Sequence, residues 1–431
     1  MLIVAVMAHT ANYKGVLITD SLCDSKIYPG TVHEIKVYVP QEYDATRPAC
    51  LYFGLDGILY NAPTVMDSLI SIGKMPVTVG VFIQPGLIKD KTGKVIRYNR
   101  SNEFDRTDGR FADFIESEVL PFVEKMKLDD GRKISISKDA NDRAISGASS
   151  GGIAAFNVAW WRPDLFSRVY TTCGTFVAMR GGNELPALVR KTESRPIRVY
   201  IHDGSKDAWN PLFGHWYEYN LLMASALEFA GYEHKQVWDD GNHSIKNGSK
   251  LFPEAMTYLW EGYPERVKQG NTQNNMIPTV LIPGENWKLS DVKFPKPAGI
   301  VAVSPDGKIK TNVSADSDWL ISAIMEEGKE TCIQEYYWIH NPIYCHNNVS
   351  AMIYAKDGNL YVATTIGIQI CDHNGRVRAI IPYPETTIDA FAFHGNVIFV
   401  KIGDKVYTRK INAEAHQSDD APVEYKSQGQ A

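Results

Sequence analysis

The stretch RAISGASSGG at 143–152 sets Ser149 midway between Gly147 and Gly151, with Gly152 following. A serine hydroxyl is a weak nucleophile near neutral pH. It becomes useful when a histidine takes its proton and an acid orients that histidine. Gly-x-Ser-x-Gly suits a sharp strand-to-helix turn, because side chains two residues either side of the serine would collide with the neighbouring strand and helix. A plain Gly/Ser loop has the same composition, so the surroundings must decide. A short apolar run leads in, and SSGGIAAFNVAWW (149–161) has helical period, which places Ser149 at a strand-to-helix junction.

Two further groups follow in the required order. IRVYIH (197–202) runs into DGSKDAWN, offering Asp203 and Asp207. HKQVW (234–238) runs into DDGNHSIKNG, offering His243. Both groups lie just past apolar runs, where a parallel sheet presents its chemistry. The competing histidines are His202, His215 and His234; His202 and His234 sit at the end and start of strand-like runs and read as packing or surface residues. Asp203 is nearer its strand end, whereas Asp207 has more chain in which to fold back. Asp239 and Asp240 read as solvated loop residues. A developing oxyanion needs two backbone N–H groups. One is expected from Ser150, the other from Gly57 or Ile58, where ACLYFGLDGILY runs from a strand into a turn.

These residues require a particular scaffold. The runs GVLITDSL, EIKVYVP, ACLYFGL, VTVGVFIQ, RAIS, RVYTTC, IRVYIH and HKQVW read as strands. FADFIESEVLPFVEKMK (111–127), SSGGIAAFNVAWW and WYEYNLLMASALEFAGY (216–232) read as helices between them. The alternation predicts an α/β domain over 15–262, with a mainly parallel sheet and helices on both faces, after an N-terminal extension at 1–14. Residues 263–283 are polar with Pro and Gly and read as a linker. From 284 to 412, SPDGKI, KDGNLYVAT, DHNGRV, HGNVIFV and GDKVYTR show turn signals about every ten residues and predict an all-β domain. The tail at 413–431 is polar and reads as disordered.

Composition narrows the function. The chain has 431 residues, 44% hydrophobic and 22% charged, with a formal net charge of −5. No basic run points to nucleic acid, and no apolar run is long enough for a membrane span. Six cysteines are scattered without Cys-x-x-Cys. Cys50 and Cys173 read as buried thiols, and Cys332 and Cys345 could bridge in an oxidising compartment. The first residues, MLIVAVMAHTANYKG, read either as the tail of an export signal or as a first strand. Trp209, His215, Trp216 and Trp160 are candidates to border a substrate, with core packing the favoured role for Trp160.

RAISGASSGG, LYFGLDG, RSNEFD with FADFIESEVLPFVE, HDGSKD and GNHS together resemble the esterase D and enterochelin-esterase-like branch of the α/β-hydrolases. That branch includes the feruloyl and acetyl xylan esterases of carbohydrate esterase family one. The resemblance covers residues 15–262. It implies Ser149 as nucleophile, Asp207 as acid and His243 as base, with no metal or organic cofactor. It also implies a structural role for Tyr98, Arg100, Glu103 and Asp105. GENWKL, SPDGKI, DGNLYVATTIGIQICDHNGRV and GDKVYTRK resemble part of a gluconolactonase/regucalcin-type β-propeller, with length for about three blades. The metal-binding positions of that family are absent: FPKPAG carries Lys296 and Pro297, and NNVSAM lacks the expected Asp. Such a partial ring leaves sheet edges to be covered by the α/β domain or by a homodimer partner, unless the β fold is a different one.

The leading expectation is a secreted or periplasmic serine carboxylesterase acting on feruloyl or acetyl esters of plant cell-wall polysaccharide, or on small phenolic esters. A siderophore or other small-ester esterase is the second reading. A non-catalytic carbohydrate-binding protein is the third.

Overall fold

The computed structural model describes residues 13–314, 319–341, 348–385, 387–417 and 419–423. The chain divides into two compact units. The first comprises residues up to 183, 195–224 and 233–269, and the second 184–194, 225–232 and 270 onward.

The first unit is built on eight strands: β1 (Val16–Leu22), β2 (His33–Val39), β3 (Cys50–Leu55), β4 (Thr78–Ile83), β5 (Arg143–Ala148), β6 (Arg168–Thr172), β7 (Arg198–Lys206) and β8 (Glu233–Asn242). They form one sheet in the order β1-β2-β4-β3-β5-β6-β7-β8. β1, β2 and β4 pair antiparallel. The remaining neighbours pair parallel. Every residue of β3, β4 and β5 is buried. Burial of both side-chain parities means that both faces of the sheet's centre are covered. One face packs Tyr52, Phe82, Tyr170 and Tyr200 against α1 (Ala62–Ser71) and α4 (Ile245–Leu259) through Met66, Phe252 and Met256. The other principal helices are α2 (Ser150–Trp161) and α3 (Trp216–Phe229).

The strands and the α2 and α3 assignments follow the hydrophobic pattern. The predicted helix at 111–127 forms as Arg110–Phe114, a wide turn at Ile115–Val119 and Leu120–Lys125. α1 and α4 were not legible. Pro63 opens one and Pro253 sits inside the other, and tertiary packing overrides both local signals.

In the second unit the strands are β9 (Lys288–Ser290), β10 (Val301–Val303), β11 (Ile309–Val313), β12 (Trp319–Glu326), β13 (Lys329–Trp338), β14 (Ala351–Tyr354), β15 (Leu360–Thr364), β16 (Gly367–Cys371), β17 (Val377–Ile381), β18 (Ala390–His394), β19 (Val397–Ile402) and β20 (Lys405–Lys410). They make three four-stranded antiparallel sheets: β10-β11-β12-β13, β14-β15-β16-β17 and β9-β20-β19-β18. The first strand by sequence thus completes the last sheet. The initial strands β10, β14 and β18 lie side by side.

Three expectations change here. The predicted linker contains a short helix, α5 (Met276–Val280), whose Ile277 and Val280 join Leu281 in the core of the second unit. Polar residues around these apolar ones hid a buried edge. The predicted disordered tail is held at its start: Ala415 is buried, and His416 N–H donates to Tyr354 O at 2.9 Å. Finally, residues 184–194 cluster with the β-rich unit. Glu193 N–H donates to Ile380 O at 3.0 Å, and Arg409 binds Glu193 through two bonds of 2.7 Å with both side chains buried. Among the cysteines, Cys23 and Cys332 are exposed free thiols, and Cys50, Cys173 and Cys371 are buried free thiols. Cys345 and the first twelve residues lie outside the described residues.

Candidate active site

β5 runs into α2 through Ser149, whose φ of 56° and ψ of −121° place a side-chain-bearing residue in a strained conformation. Its N–H donates to Thr172 O at 3.1 Å, and its carbonyl accepts from the Thr175 and Gly152 N–H groups at 3.0 and 2.9 Å. Those bonds hold the turn. A Cβ on Gly147 would stand 2.2 Å from Gly151 O, and one on Gly151 would stand 3.0 Å from Asp56 Oδ2. Gly147 is therefore needed for close approach, as the sequence pattern implied, and a side chain at Gly151 would crowd Asp56.

His243 follows β8 and Asp207 follows β7. His243 Nε2 lies 2.9 Å from Ser149 Oγ, and His243 Nδ1 lies 2.5 Å from Asp207 Oδ1. With an ionised Asp207, Nδ1–H donates to the carboxylate and Nε2 accepts from the serine hydroxyl. The strand ends that lead into these residues lean directly on one another. A Cβ on Gly204 would meet Gly241 O at 2.3 Å. Ser244 caps α4 by accepting from Lys246 N–H at 3.2 Å, which ends the His243 loop one residue after the histidine.

The Asp207 side chain is fully buried, while that of His243 is 34% exposed. Burial opposes the Asp207 charge. Contacts with His243, with Asp203 and with the Ala208 N–H outweigh it and hold the carboxyl below the usual range. Asp203, the other candidate acid, is buried behind Asp207. It accepts from its own neighbour, Gly204 N–H, at 2.7 Å and from Asn220 Nδ2 at 2.9 Å. Burial, then the adjacent Asp207, pushes Asp203 well above the usual carboxylate range. Asp239 is not a bare loop acid: it accepts from buried His202 Nε2 at 3.0 Å. Asp240 pairs with Lys206 at 2.8 Å on the surface.

Thr175 carried no sequence signal of its own, whereas Arg100 and Asp105 lie in the segment for which the resemblance implied a structural role. Thr175 Oγ1 lies 3.3 Å from Ser149 Oγ and accepts from Trp216 Nε1 at 3.2 Å. Arg100 binds Asp56 through bonds of 2.6 and 2.8 Å, which anchors the loop after β3. Asp56 and Gly57 in that loop both have positive φ. Asp105 is buried, and burial raises its carboxyl.

Of the expected oxyanion donors, Ser150 opens α2, where first-turn N–H groups have no partner within the helix. Gly57 is corrected: its N–H donates to Ile83 O at 2.9 Å and is not free. No partner for the Ile58 N–H is found among the described residues. Among the aromatic candidates, Trp216 is buried edge-on to His243, with ring centroids 5.7 Å apart. It packs the histidine rather than facing solvent. Trp209 and His215 pair across a two-stranded hairpin just after Asp207, and Trp209 is 66% exposed. Trp160 is corrected. It is 1% exposed under Arg195, and its position in α2 puts it about 16 Å along the helix from Ser149. Its pattern was that of a core residue.

Cys173, Asp207 and His243 bring ligand-type atoms within 4.8 Å of one another. The donor set suits a proton relay better than a cation. Burial, then the neighbouring Asp207 charge, pushes the Cys173 thiol up to about 12, so it keeps its proton, and both His243 nitrogens are already engaged.

A parallel-sheet α/β protein with a serine–histidine–aspartate chain at the carboxyl ends of its strands is the class that this fold and site define. The "Putative esterase" family model matches residues 28–269, more than half of the chain, and the chain belongs to that family. As a member it is a carboxylic ester hydrolase. No curated protein matches it. A ferulic acid esterase structure is 19% identical, with a TM-score of 0.45, over 57% of this chain and 98% of that one. The enterobactin esterase FES from Shigella flexneri, solved with 2,3-di-hydroxy-N-benzoyl-glycine, is 19% identical, with a TM-score of 0.44, over 58% of this chain and 60% of that one. A feruloyl esterase module from Clostridium thermocellum complexed with sinapinate is 14% identical, with a TM-score of 0.41, over 60% of this chain and 94% of that one. Among the described residues, no helix is long and apolar enough to cross a membrane.

Proposed function

We propose that Ser149 attacks the ester carbonyl, that His243 takes the serine proton and returns it to the leaving alcohol, and that Asp207 holds the ring and stabilises the imidazolium. Water activated by the same histidine then releases the acid from the acyl-serine. The observation that carries this reading is the continuous Ser149–His243–Asp207 hydrogen-bond chain on a strained turn. The oxyanion would be bound by the Ser150 N–H and the Ile58 N–H. The substrates proposed are feruloyl or acetyl esters of plant polysaccharide, or small phenolic esters, met outside the cytoplasm. The sequence motifs and the exposed Trp209 beside the Asp207 loop support that choice, since an aromatic face suits a phenolic acyl group or a sugar. For the β unit we propose an abbreviated propeller, supported by its three four-stranded sheets with their initial strands together. A homodimer through that unit belongs to the same proposal, and sedimentation tests it.

The experiment is Ser149→Ala, assayed on p-nitrophenyl acetate, methyl ferulate and acetylated xylan, with fluorophosphonate labelling of the parent. Loss of hydrolysis in a folded variant, with label on Ser149, is expected. Full activity in the variant overturns the mechanism. Activity confined to a catechol triester would replace the proposed substrate class.

A further inference from the structure

The acid of the relay has a second carboxyl behind it. Asp203 and Asp207 are both buried, and a tight turn, closed by Asp207 N–H donating to Gly204 O at 2.9 Å, sets the two acids beside each other. Asp207 Oδ1 is occupied by His243 Nδ1–H and by the Ala208 N–H. Asp207 Oδ2 is buried and receives no bond from any amide, ring nitrogen or Ser, Thr or Tyr hydroxyl among the described residues. A buried carboxylate oxygen without a donor is costly, and two carboxylates in contact cannot both ionise. One proton on Asp203 removes both problems.

Resting on the Ser149–His243–Asp207 reading, we infer that Asp203 is a neutral carboxylic acid whose O–H donates to Asp207 Oδ2, making it a positioning residue for the catalytic carboxylate. Its own place is fixed from the far side. Gly204 N–H and Asn220 Nδ2 reach its oxygens, and the two hydrogens of Asn220 Nδ2 are shared among Asp203, Gly174 O at 2.9 Å and Trp216 O at 3.0 Å. The buttress thus joins the α3 residue that packs His243 to the acid that orients it. The groups facing the pair agree with the assignment. The Cys173 thiol is neutral, Asp239 is bound to His202, and His243 sits on the far oxygen of Asp207. None of them gives Asp203 a cation to pair with.

Asp203→Asn keeps a donor and removes no charge, whereas Asp203→Ala removes the donor. Expected for Asp203→Asn is a kcat/KM within about threefold of the parent and an unmoved acidic limb of the pH–rate profile. Expected for Asp203→Ala is at least a tenfold fall in kcat with little change in KM, and a parallel fall in fluorophosphonate labelling rate. If Asp203 were ionised, Asp203→Asn would strip a negative charge from beside His243 and move the acidic limb to lower pH, overturning the inference. Equal losses in both variants, or none in Asp203→Ala, would overturn it too. An infrared difference spectrum of parent against Asp203→Asn reads the state without activity: a protonated-carboxyl C=O band that vanishes supports the inference, and a vanishing carboxylate band refutes it. None of these outcomes alters the Ser149→Ala result, so the two readings fail separately.

Discussion

Asp207→Asn probes the two-acid arrangement most directly. In a serine protease triad the equivalent exchange costs about 10⁴ in kcat, because the amide turns its NH₂ toward the imidazole and enforces the wrong tautomer. Here the Ala208 N–H donates to Oδ1 and would repel an NH₂ in that position. The amide therefore keeps its carbonyl toward Ala208 and His243 and turns its NH₂ toward Asp203, which can then ionise and accept. The correct tautomer survives, and the negative charge moves back by one carboxyl. Taking the charge from about 4 Å to about 7 Å from the imidazolium, at an effective dielectric of about 20, the attraction falls from about 4.2 to about 2.4 kcal/mol. That difference of about 1.8 kcal/mol corresponds to a loss of roughly 20-fold. The double variant Asp203→Asn/Asp207→Asn has no carboxylate to spare and should fall toward the 10⁴ level. Steady-state kinetics on p-nitrophenyl acetate, with folding checked by circular dichroism, measure both. A single variant already down about 10⁴, with the double no worse, would refute the reasoning.

Further outcomes follow from the same geometry. Gly147→Ala places a methyl against the Gly151 carbonyl and should cost about 3 kcal/mol, lowering Tm by roughly 6–12 °C, and should cut activity by disturbing Ser149; calorimetry and kinetics test this. Glu193→Gln leaves Arg409 buried without its carboxylate and should destabilise the β-rich unit by about 3–5 kcal/mol, with Glu193→Leu/Arg409→Met recovering much of the loss in denaturant titrations. Asp203 has its folded-state pKa raised, so its contribution to stability is full below the unfolded value and is lost as pH rises toward the folded value. Asp203→Asn should therefore gain on the parent as pH climbs from about 4, by at most about 1.4 kcal/mol per pH unit. A Tm difference that stays flat with pH would contradict that.

Much of the site was legible because its constraints are local. Gly147, Ser149 and Gly151 are adjacent in sequence, and the clash that forbids larger residues arises within five positions. His243 and Asp207 follow apolar runs whose register puts them at strand ends, so order and spacing alone brought them to one edge of the sheet. Side-chain volume and a free N–H are not local properties. Trp160, favoured as core, stayed a candidate for the site until helix rise carried it away from Ser149, and Gly57 looked like a donor until Ile83, on the neighbouring strand β4, took its N–H. The residues at 184–194 and 276–281 show the same division. The first fell within the predicted α/β domain and the second read as linker, yet Glu193, Ile277 and Leu281 are buried by strands far along the chain. Asp203 and Asp207 make the point most sharply. Sequence offered them as alternatives for one role, because spacing cannot say which carboxyl is buried behind which. The fold uses both, since burying two carboxyls in contact leaves room for only one charge.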